Sequence, residues 1–232
     1  MSGRTLNKIR AIVPAAGNSE RFGGSMPKQY CALNGKPVII HTLERLNSVG
    51  RIESIQVGLS PEDQIWSSLR GIPPKVVDVF CGGVTRAETV MHGLRNLTES
   101  YSPDDWVLVH DAARPCVSIE SIDKLITRVL TSDQGGLLAV PEWETLKRAD
   151  SNGVVIDTVD RDTLWRAQTP QMFRSGELLN AMLDLGDDVA KLTDEAGAME
   201  KAGYNPLLVR SHQDNIKITT TEDLRLAGKL LE

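Results

Sequence analysis

Short apolar runs alternate with longer segments of helical spacing along this chain, and this alternation constrains its fold more than any other feature. The apolar runs are rich in β-branched residues and are bounded by turn residues, as strands of a buried sheet are. They lie at 10–13, 54–59, 76–80, 106–110 and 136–140. The spacing predicts helices at 37–48, 62–69, 85–97 and 119–130. Strands that alternate with helices form βαβ units, so we expect an α/β fold with a mainly parallel sheet.

Residues 142–165 interrupt this alternation. Two extended runs, 146–149 and 154–159, flank Asn152-Gly153, a dipeptide that favours a tight hairpin turn. A two-stranded ribbon is only marginally stable unless it packs against something else. We therefore expect a protruding β-hairpin arm at 142–165 that lies on a second subunit.

Length and charge limit the kind of protein further. The 232 residues carry a net charge of −5, and 41% of them are apolar. This length suits one domain over 1–232. The acidic balance argues against a nucleic acid or a membrane surface as partner. No run of 18 apolar residues exists, so we expect a cytoplasmic protein.

The C-terminal part predicts one more strand and helix. The run at 216–219 has the pattern of a strand. Thr220 stands three residues before Asp223, the spacing at which two side chains cap the start of a helix.

A glycine-containing loop follows the first predicted strand. It begins with the sequence PAAG at 14–17, contains Arg21 and ends with Pro-Lys-Gln at 27–29. Small residues let backbone N–H groups approach a phosphate or a base, and Arg21 and Lys28 can neutralise a polyphosphate. The loop matches neither GxxxxGK[ST] nor GxGxxG, which argues against P-loop NTPases and dinucleotide dehydrogenases. Without further motifs, an ordinary loop with surface cations explains it equally well.

Asp111 follows the run 106–110, within the sequence HDAARP at 110–115. The carboxyl end of a parallel strand faces the ligand crevice, and a hard oxygen ligand suits Mg²⁺ that is shared with substrate phosphates. We therefore predict that Asp111 binds Mg²⁺, or another divalent cation. A turn or helix-cap aspartate is the alternative. His110 is expected to pack beside Asp111 and not to act as a base.

These blocks together resemble the methylerythritol phosphate cytidylyltransferases, a family of nucleotidyltransferases. The matching blocks are PAAG with Arg21 and Pro-Lys-Gln, CGGVTRAETV at 81–90, HDAARP, TVDR at 158–161, QTPQ at 168–171, LTDEA at 192–196 and NIKIT at 215–219. They occur in the family's order, and the resemblance extends from residue 12 to residue 226. Ser19 and Thr89 depart from the family's usual glycine and serine. The resemblance implies a Rossmann-like three-layer α/β/α nucleotidyltransferase fold.

The resemblance also implies an activity, a set of contacts and a homodimer. The activity is transfer of CMP from CTP to 2-C-methyl-D-erythritol 4-phosphate, with release of pyrophosphate. Catalytic roles are implied for Arg21, Lys28, Arg161 and Lys217. Contacts with CTP are implied for Pro14, Ala15, Ala16, Gly17, Gly83, Thr89, Asp111 and Ala112. Contacts with the polyol phosphate are implied for Arg114, Thr145, Arg161, Thr169, Thr193 and Lys217. In relatives the arm residues act in the partner's site, which implies a homodimer.

Two other functions stay open. A ribitol 5-phosphate cytidylyltransferase would share the CTP loop and differ in its polyol contacts, and the HDAARP block favours methylerythritol phosphate. A catalytically silent nucleotide-binding protein would not need Arg161 and Lys217 as a second phosphate clamp.

Arg86, taken without the family, would be a surface arginine that pairs with a nearby acid. The loop at 19–26 is predicted to be disordered without nucleotide, because it has two glycines and no apolar anchor.

Overall fold

Eleven strands are found in the computed structural model, which describes residues 9–17, 22, 26–98 and 102–232. They are β1 (Ile9–Pro14), β2 (Ala32–Leu33), β3 (Lys36–Pro37), β4 (Ile52–Leu59), β5 (Val76–Cys81), β6 (Trp106–Val109), β7 (Gly136–Pro141), β8 (Leu146–Ala149), β9 (Val155–Val159), β10 (Trp165–Arg174) and β11 (Leu207–Arg210). Seven of them form one sheet in the order β11-β7-β10-β6-β1-β4-β5. β10 runs antiparallel to both of its neighbours, and the other pairs are parallel. The predicted, mainly parallel sheet is confirmed.

Helices cover both faces of this sheet. They are α1 (Val38–Asn47), α2 (Arg86–Thr98), α3 (Ile119–Ser132), α4 (Ser175–Leu183), α5 (Glu195–Lys201) and α6 (Thr221–Leu230). Side chains alternate along β1, so Ala11 and Val13 pack with α1 and α3 while Ile12 packs with α2, α4 and α5. This arrangement gives three layers. None of the helices in the described residues is long and apolar enough to cross a membrane.

The arm between β7 and β10 is a hairpin, as predicted. β8 and β9 pair only with each other among the described strands, and Gly153 at φ 80° supplies the left-handed backbone of the turn. Val154, Val155 and Ile156 are 62%, 56% and 61% exposed. An apolar ribbon this exposed is consistent with an arm that projects from the domain, and its contact with a second subunit stays a prediction.

The predicted helix at 62–69 is wrong. The structure has one short 3₁₀ helix there, Trp66–Ser68. The carboxylate of Asp63 accepts hydrogen bonds from the backbone N–H groups of Ile65 (3.0 Å) and Trp66 (2.8 Å). A side chain that binds nearby backbone groups in this way competes with an α-helix, which explains the difference.

The predicted strand at 216–219 is also wrong, whereas the helix after it is confirmed. The N–H of Ile218 donates to the carbonyl of Ala113 (2.9 Å), and the N–H of Thr219 donates to Asp223 (2.8 Å). The backbone of this segment therefore binds a loop and a helix cap instead of a neighbouring strand. Thr220 and Asp223 form the expected reciprocal cap of α6.

Candidate active site

A cleft of about 700 Å³ opens at the carboxyl ends of β1 and β6. Such an edge is where open α/β sheets bind ligands. Ten of the predicted contacts line the cleft: Pro14, Ala15, Ala16, Gly17, Lys28, Thr89, Asp111, Ala112, Thr193 and Lys217. Phe22, Gln29, Arg86, Ala113 and Thr219 line it as well, although they were not among the predicted contacts. Arg21 and most of the loop at 19–26, including Ser19, lie outside the described residues.

Two hydrogen bonds hold the start of the loop after β1 in place. The N–H of Ala15 donates to the carbonyl of Gly58 at 2.8 Å, and the side chain of Gln29 donates to the carbonyl of Ala15 at 2.8 Å. Gln29 is only 5% exposed, so this bond is shielded from water. The first residues of the loop are therefore held in place, with Ala16 and Gly17 lining the cleft.

Two glycines before α2 allow close contacts, Gly82 with the loop after β1 and Gly83 with the first turn of α2. A Cβ atom on Gly82 would lie 2.5 Å from the Cβ of Ala16, and one on Gly83 would lie 2.3 Å from the Cβ of Glu88. Any larger residue at either position would push these elements apart. The hydroxyl of Thr89 accepts from the N–H of Gly83 at 3.1 Å, so Gly83 orients a side chain that lines the cleft.

Asp111 lies at the centre of a charge cluster on the cleft wall. Its Oδ1 is 2.7 Å from Nε of Arg86, and its Oδ2 is 3.2 Å from Nε of Arg114 and 3.0 Å from Nζ of Lys217. Burial alone would raise the pKa of Asp111, but the charges of Arg86, Lys217 and Arg114 outweigh it and hold the pKa well below 3.8. Asp111 is therefore ionised at neutral pH.

Sequence reasoning missed a second carboxylate in this cluster, Glu195. Its two oxygens lie 2.6 Å and 3.1 Å from the terminal nitrogens of Arg86. Arg86 thus pairs with two acids at the edge of the cleft, and it is not the surface arginine that its isolated position suggests. Three cations face two carboxylates, so the cluster keeps one net positive charge. Such a cluster attracts a phosphate.

Arg114 and Thr169 support Asp111 and are not among the residues that line the cleft. Arg114 also donates to the carbonyl of Asn215 at 2.6 Å, which ties the HDAARP loop to the segment of Lys217. Thr169 is 4% exposed, and its hydroxyl accepts from the N–H of Asp111 at 3.0 Å. Direct contact of these two residues with the polyol phosphate stays a prediction.

His110 is neutral and supports the same loop. Its Nε2 lies 3.1 Å from the carbonyl of Arg114, which can only accept, so Nε2 carries the proton. Nδ1 then accepts from the hydroxyl of Thr169 at 2.9 Å. Complete burial lowers the pKa of His110 to about 4, despite the opposing charge of Asp111. The side chain is thus an anchor of the loop, in agreement with the sequence prediction.

The low pKa of His110 predicts a loss of stability in mild acid. The unfolded chain binds this proton below about pH 6.5 and the folded chain only below about pH 4, so stability falls as the pH decreases between these values. The loss should approach about 3 kcal/mol. Urea unfolding at pH 7.0, 5.5 and 4.5 measures it. His110→Gln should flatten this pH dependence, whereas His212→Gln, at an exposed position, should keep it; equal slopes in all three proteins would contradict the assignment.

Thr145 and Arg161 are predicted contacts that, like Gly83, Arg114 and Thr169, are not among the residues that line the cleft of the same chain. Both are exposed on the arm, and a guanidinium nitrogen of Arg161 lies 3.5 Å from the hydroxyl of Thr145. Neither is among the residues that line the cleft. Contact of these two residues with the polyol phosphate stays a prediction.

The side chains of the cleft could hold a divalent cation only if the substrate supplied most of the oxygen ligands. The described residues contain no group of three or more His, Cys, Asp or Glu side chains that could hold a metal. Asp111 offers one carboxylate, and each of its oxygens can accept more than one partner. Mg²⁺ commonly binds in this way, through one or two carboxylates, water and substrate phosphates.

Comparison with known proteins identifies the family. The model of the family IspD, 2-C-methyl-D-erythritol 4-phosphate cytidylyltransferase, matches residues 9–232. The chain belongs to this family. The 2-C-methyl-D-erythritol 4-phosphate cytidylyltransferase of Azoarcus sp. (strain BH72) is 48% identical over 223 residues, which cover 95% of this chain and 93% of the relative. That of Dechloromonas aromatica (strain RCB) is 49% identical over 223 residues, which cover 95% and 96%.

Solved structures agree with this assignment. A crystal structure of 4-diphosphocytidyl-2C-methyl-D-erythritol synthase has a TM-score of 0.84 at 39% identity and covers 97% of this chain and 100% of its own. The 2-C-methyl-D-erythritol 4-phosphate cytidylyltransferase (IspD) of Francisella tularensis has a TM-score of 0.81 at 39% identity and covers 96% and 99%. The Rossmann-like nucleotidyltransferase fold expected from the sequence is thereby confirmed.

Proposed function

We propose that this member of the IspD family transfers CMP from CTP to 2-C-methyl-D-erythritol 4-phosphate, in the synthesis of isoprenoid precursors, and that the cleft at β1 and β6 is the active site. One observation carries the proposal: a buried Asp111 holds Lys217 in a cleft that the small-residue loop and Lys28 also line. A nucleotide polyphosphate fits the loop side. A second phosphate fits the side of Lys217.

The reaction is an in-line displacement at the α-phosphorus of CTP. A 4-phosphate oxygen forms the new P–O bond, the bond from the α-phosphorus to the bridging oxygen breaks, and pyrophosphate leaves with the electron pair. A phosphate monoester has its second pKa near about 6, so the nucleophile is already anionic at neutral pH. No general base is needed, which agrees with a His110 that is buried and neutral.

The side chains of the cleft bring two polyanions together and offset their charge. Lys28, with Arg21, is assigned to the negative charge that grows on the α-phosphate and on the leaving pyrophosphate. Lys217 is assigned to the attacking 4-phosphate. Asp111 would hold Mg²⁺ jointly with the phosphate oxygens of CTP, and the bound ion would supply further charge neutralisation.

Pyrophosphate release tests this function. The purified protein is given CTP and Mg²⁺ with 2-C-methyl-D-erythritol 4-phosphate or with ribitol 5-phosphate, and ATP and UTP serve as controls. Release with CTP and the methylerythritol substrate alone is expected. Release with ribitol 5-phosphate would move the assignment to that polyol, and no release with either would favour a silent nucleotide-binding protein. A cytoplasmic location stays a prediction alongside this function.

The arm belongs to the proposal as the contact between two subunits. Its exposed apolar residues, Val154, Val155 and Ile156, give it a surface to bury. Arg161 and Thr145 are adjacent on the arm and away from their own cleft. In a homodimer each arm would bring this pair to the cleft of the partner, where Arg161 would complete the clamp on the 4-phosphate with Lys217.

Mixing two inactive variants tests the shared site. Arg161→Ala and Lys217→Ala should each lose about 100-fold or more in kcat/KM. When they are mixed under conditions that exchange subunits, activity should return, because a heterodimer pairs the intact cleft of one chain with the intact arm of the other. A mixture as inactive as its components would show that each site uses its own chain alone. Arg148→Ala, elsewhere on the arm, is the matched control and should keep activity.

A further inference from the structure

Arg86 forms ion pairs with two buried carboxylates that lie in different segments of the chain. Its Nε binds Asp111, which follows β6, and its two terminal nitrogens bind Glu195, the first residue of α5. Glu195 is 1% exposed and Asp111 is 5% exposed. A bidentate arginine fork fixes the direction of both partners more strictly than a single contact would.

Glu195 lies at the end of the segment that carries Thr193, a residue of the cleft wall. The residues on either side of Glu195 are held by Gln171 of β10, which accepts from the N–H of Ala196 at 2.7 Å and donates to Asp194 at 3.0 Å. Gln171 therefore anchors the segment to the sheet. The bond from Glu195 to Arg86 connects it to the charge cluster of the cleft.

Ion pairs between side chains of alternating charge thus connect this segment to Lys217. The distances along the chain of contacts are 2.6 Å from Glu195 to Arg86, 2.7 Å from Arg86 to Asp111 and 3.0 Å from Asp111 to Lys217. A buried ion pair contributes little to stability by itself, because desolvation offsets much of the attraction. What it does provide here is a fixed geometry between Thr193 at one end and Lys217 at the other.

We propose that Glu195 is a positioning residue for the second substrate: through Arg86 and Asp111 it sets Lys217 and Thr193 at the separation that the 4-phosphate and its polyol require. The proposal rests on the function proposed above, since both ends of the chain of contacts are assigned to the polyol phosphate. The loop that is assigned to CTP is held by other bonds, from Gly58 and Gln29. Asp111, which is assigned to CTP and Mg²⁺, stays bound to Arg114 and Lys217 when Glu195 loses its bonds to Arg86, whereas the segment of Thr193 loses its connection to the cluster. Glu195 should therefore affect the second substrate more than the nucleotide.

The test is Glu195→Gln, which keeps the shape of the side chain and removes its charge and one of the two bonds to Arg86. The expected result is a decrease of about 30-fold in kcat/KM for 2-C-methyl-D-erythritol 4-phosphate and a weaker Kd for this substrate in calorimetry. The Kd of CTP with Mg²⁺ should change by less than about threefold. Equal losses for both substrates would overturn the proposal, as would unchanged values for the polyol phosphate.

Asp105→Asn is the matched control. Asp105, whose side chain is 15% exposed, binds the buried Arg10 at 2.8 Å, and Arg10 belongs to β1 at the end opposite the cleft. This variant also loses one charge of a buried pair, so its Tm should decrease while both substrate constants stay at wild-type values. If it changed the polyol constants as much as Glu195→Gln does, the effect would be general to buried ion pairs and the proposal would fail.

A double-mutant cycle shows whether Glu195 acts through Arg86. Arg86→Lys keeps the positive charge between the two carboxylates but cannot bind both as a fork. Adding Glu195→Gln to Arg86→Lys should lower kcat/KM for the polyol phosphate by less than about threefold further. Fully additive losses would overturn the proposed coupling. A wild-type protein that releases no pyrophosphate would overturn the proposed function, whereas calorimetric binding of the polyol phosphate would still test Glu195.

Discussion

Lys28→Ala should lower the kcat of pyrophosphate release by about 100- to 1,000-fold, the usual effect of removing one group that stabilises transition-state charge. Lys28 lines the cleft and begins a short 3₁₀ helix, Lys28–Tyr30. Gln29 fixes this turn to the loop after β1, and the hydroxyl of Tyr30 donates to Asp63 at 2.5 Å. The ammonium group is thus on a rigid support beside the PAAG loop, where charge increases during the reaction.

The loss should fall on the chemical step. Single-turnover experiments with saturating CTP separate this step from binding, and calorimetry gives the Kd of 2-C-methyl-D-erythritol 4-phosphate, which should change by less than about threefold. Lys36→Ala is the matched control, because Lys36 is exposed on β3 and pairs with Glu44 on the surface. If Lys28→Ala weakened polyol binding as much as it slowed the chemical step, Lys28 would be a ligand of the second substrate instead.

The sequence predicted five strands of the central sheet and missed two, β10 and β11, of which β10 buries several polar side chains. β10 contains Gln168, Thr169 and Gln171, which are 6%, 4% and 1% exposed. They are buried because they bind residues that are distant in sequence: Gln168 and the carbonyl of Thr169 accept from Asn215, and Gln171 binds the start of α5. No local periodicity can indicate such partners, since they meet only in the folded chain.

The residues of the candidate site were also predicted only in part. Motifs with several characteristic residues in a row lie at the cleft: all of PAAG at 14–17 lines it, as do Asp111, Ala112 and Ala113 of HDAARP. Glu195 was missed because its partner Arg86 is 109 positions away and neither residue is distinctive alone. Thr169 and Arg114 are bound to Asp111 in the structure, and their contact with the substrate stays a prediction. A motif identifies a residue without showing which way its side chain points, so these bonds could not be predicted.

Asp111→Asn should be the most damaging single change in the cleft, for stability as well as for activity. It leaves Arg86, Arg114 and Lys217 close together with Glu195 as the remaining carboxylate of the cluster. Breaking a buried ion pair by removing one partner costs about 3–5 kcal/mol, because the opposite charge stays buried without compensation. The orientation of Lys217 is lost with it, so kcat/KM should decrease by about 1,000-fold or more.

Two further variants separate charge repulsion from a general loss of packing. Asp123→Asn removes a carboxylate of similar size from an exposed pair with Arg51 and should cost no more than about 1 kcal/mol. Adding Lys217→Met to Asp111→Asn removes one of the cations left without a partner, so urea unfolding should show part of the lost stability restored while activity stays absent. If the double variant were less stable than Asp111→Asn, the cations would not be the cause, and the carboxylate of Asp111 would be needed for its shape and its hydrogen bonds.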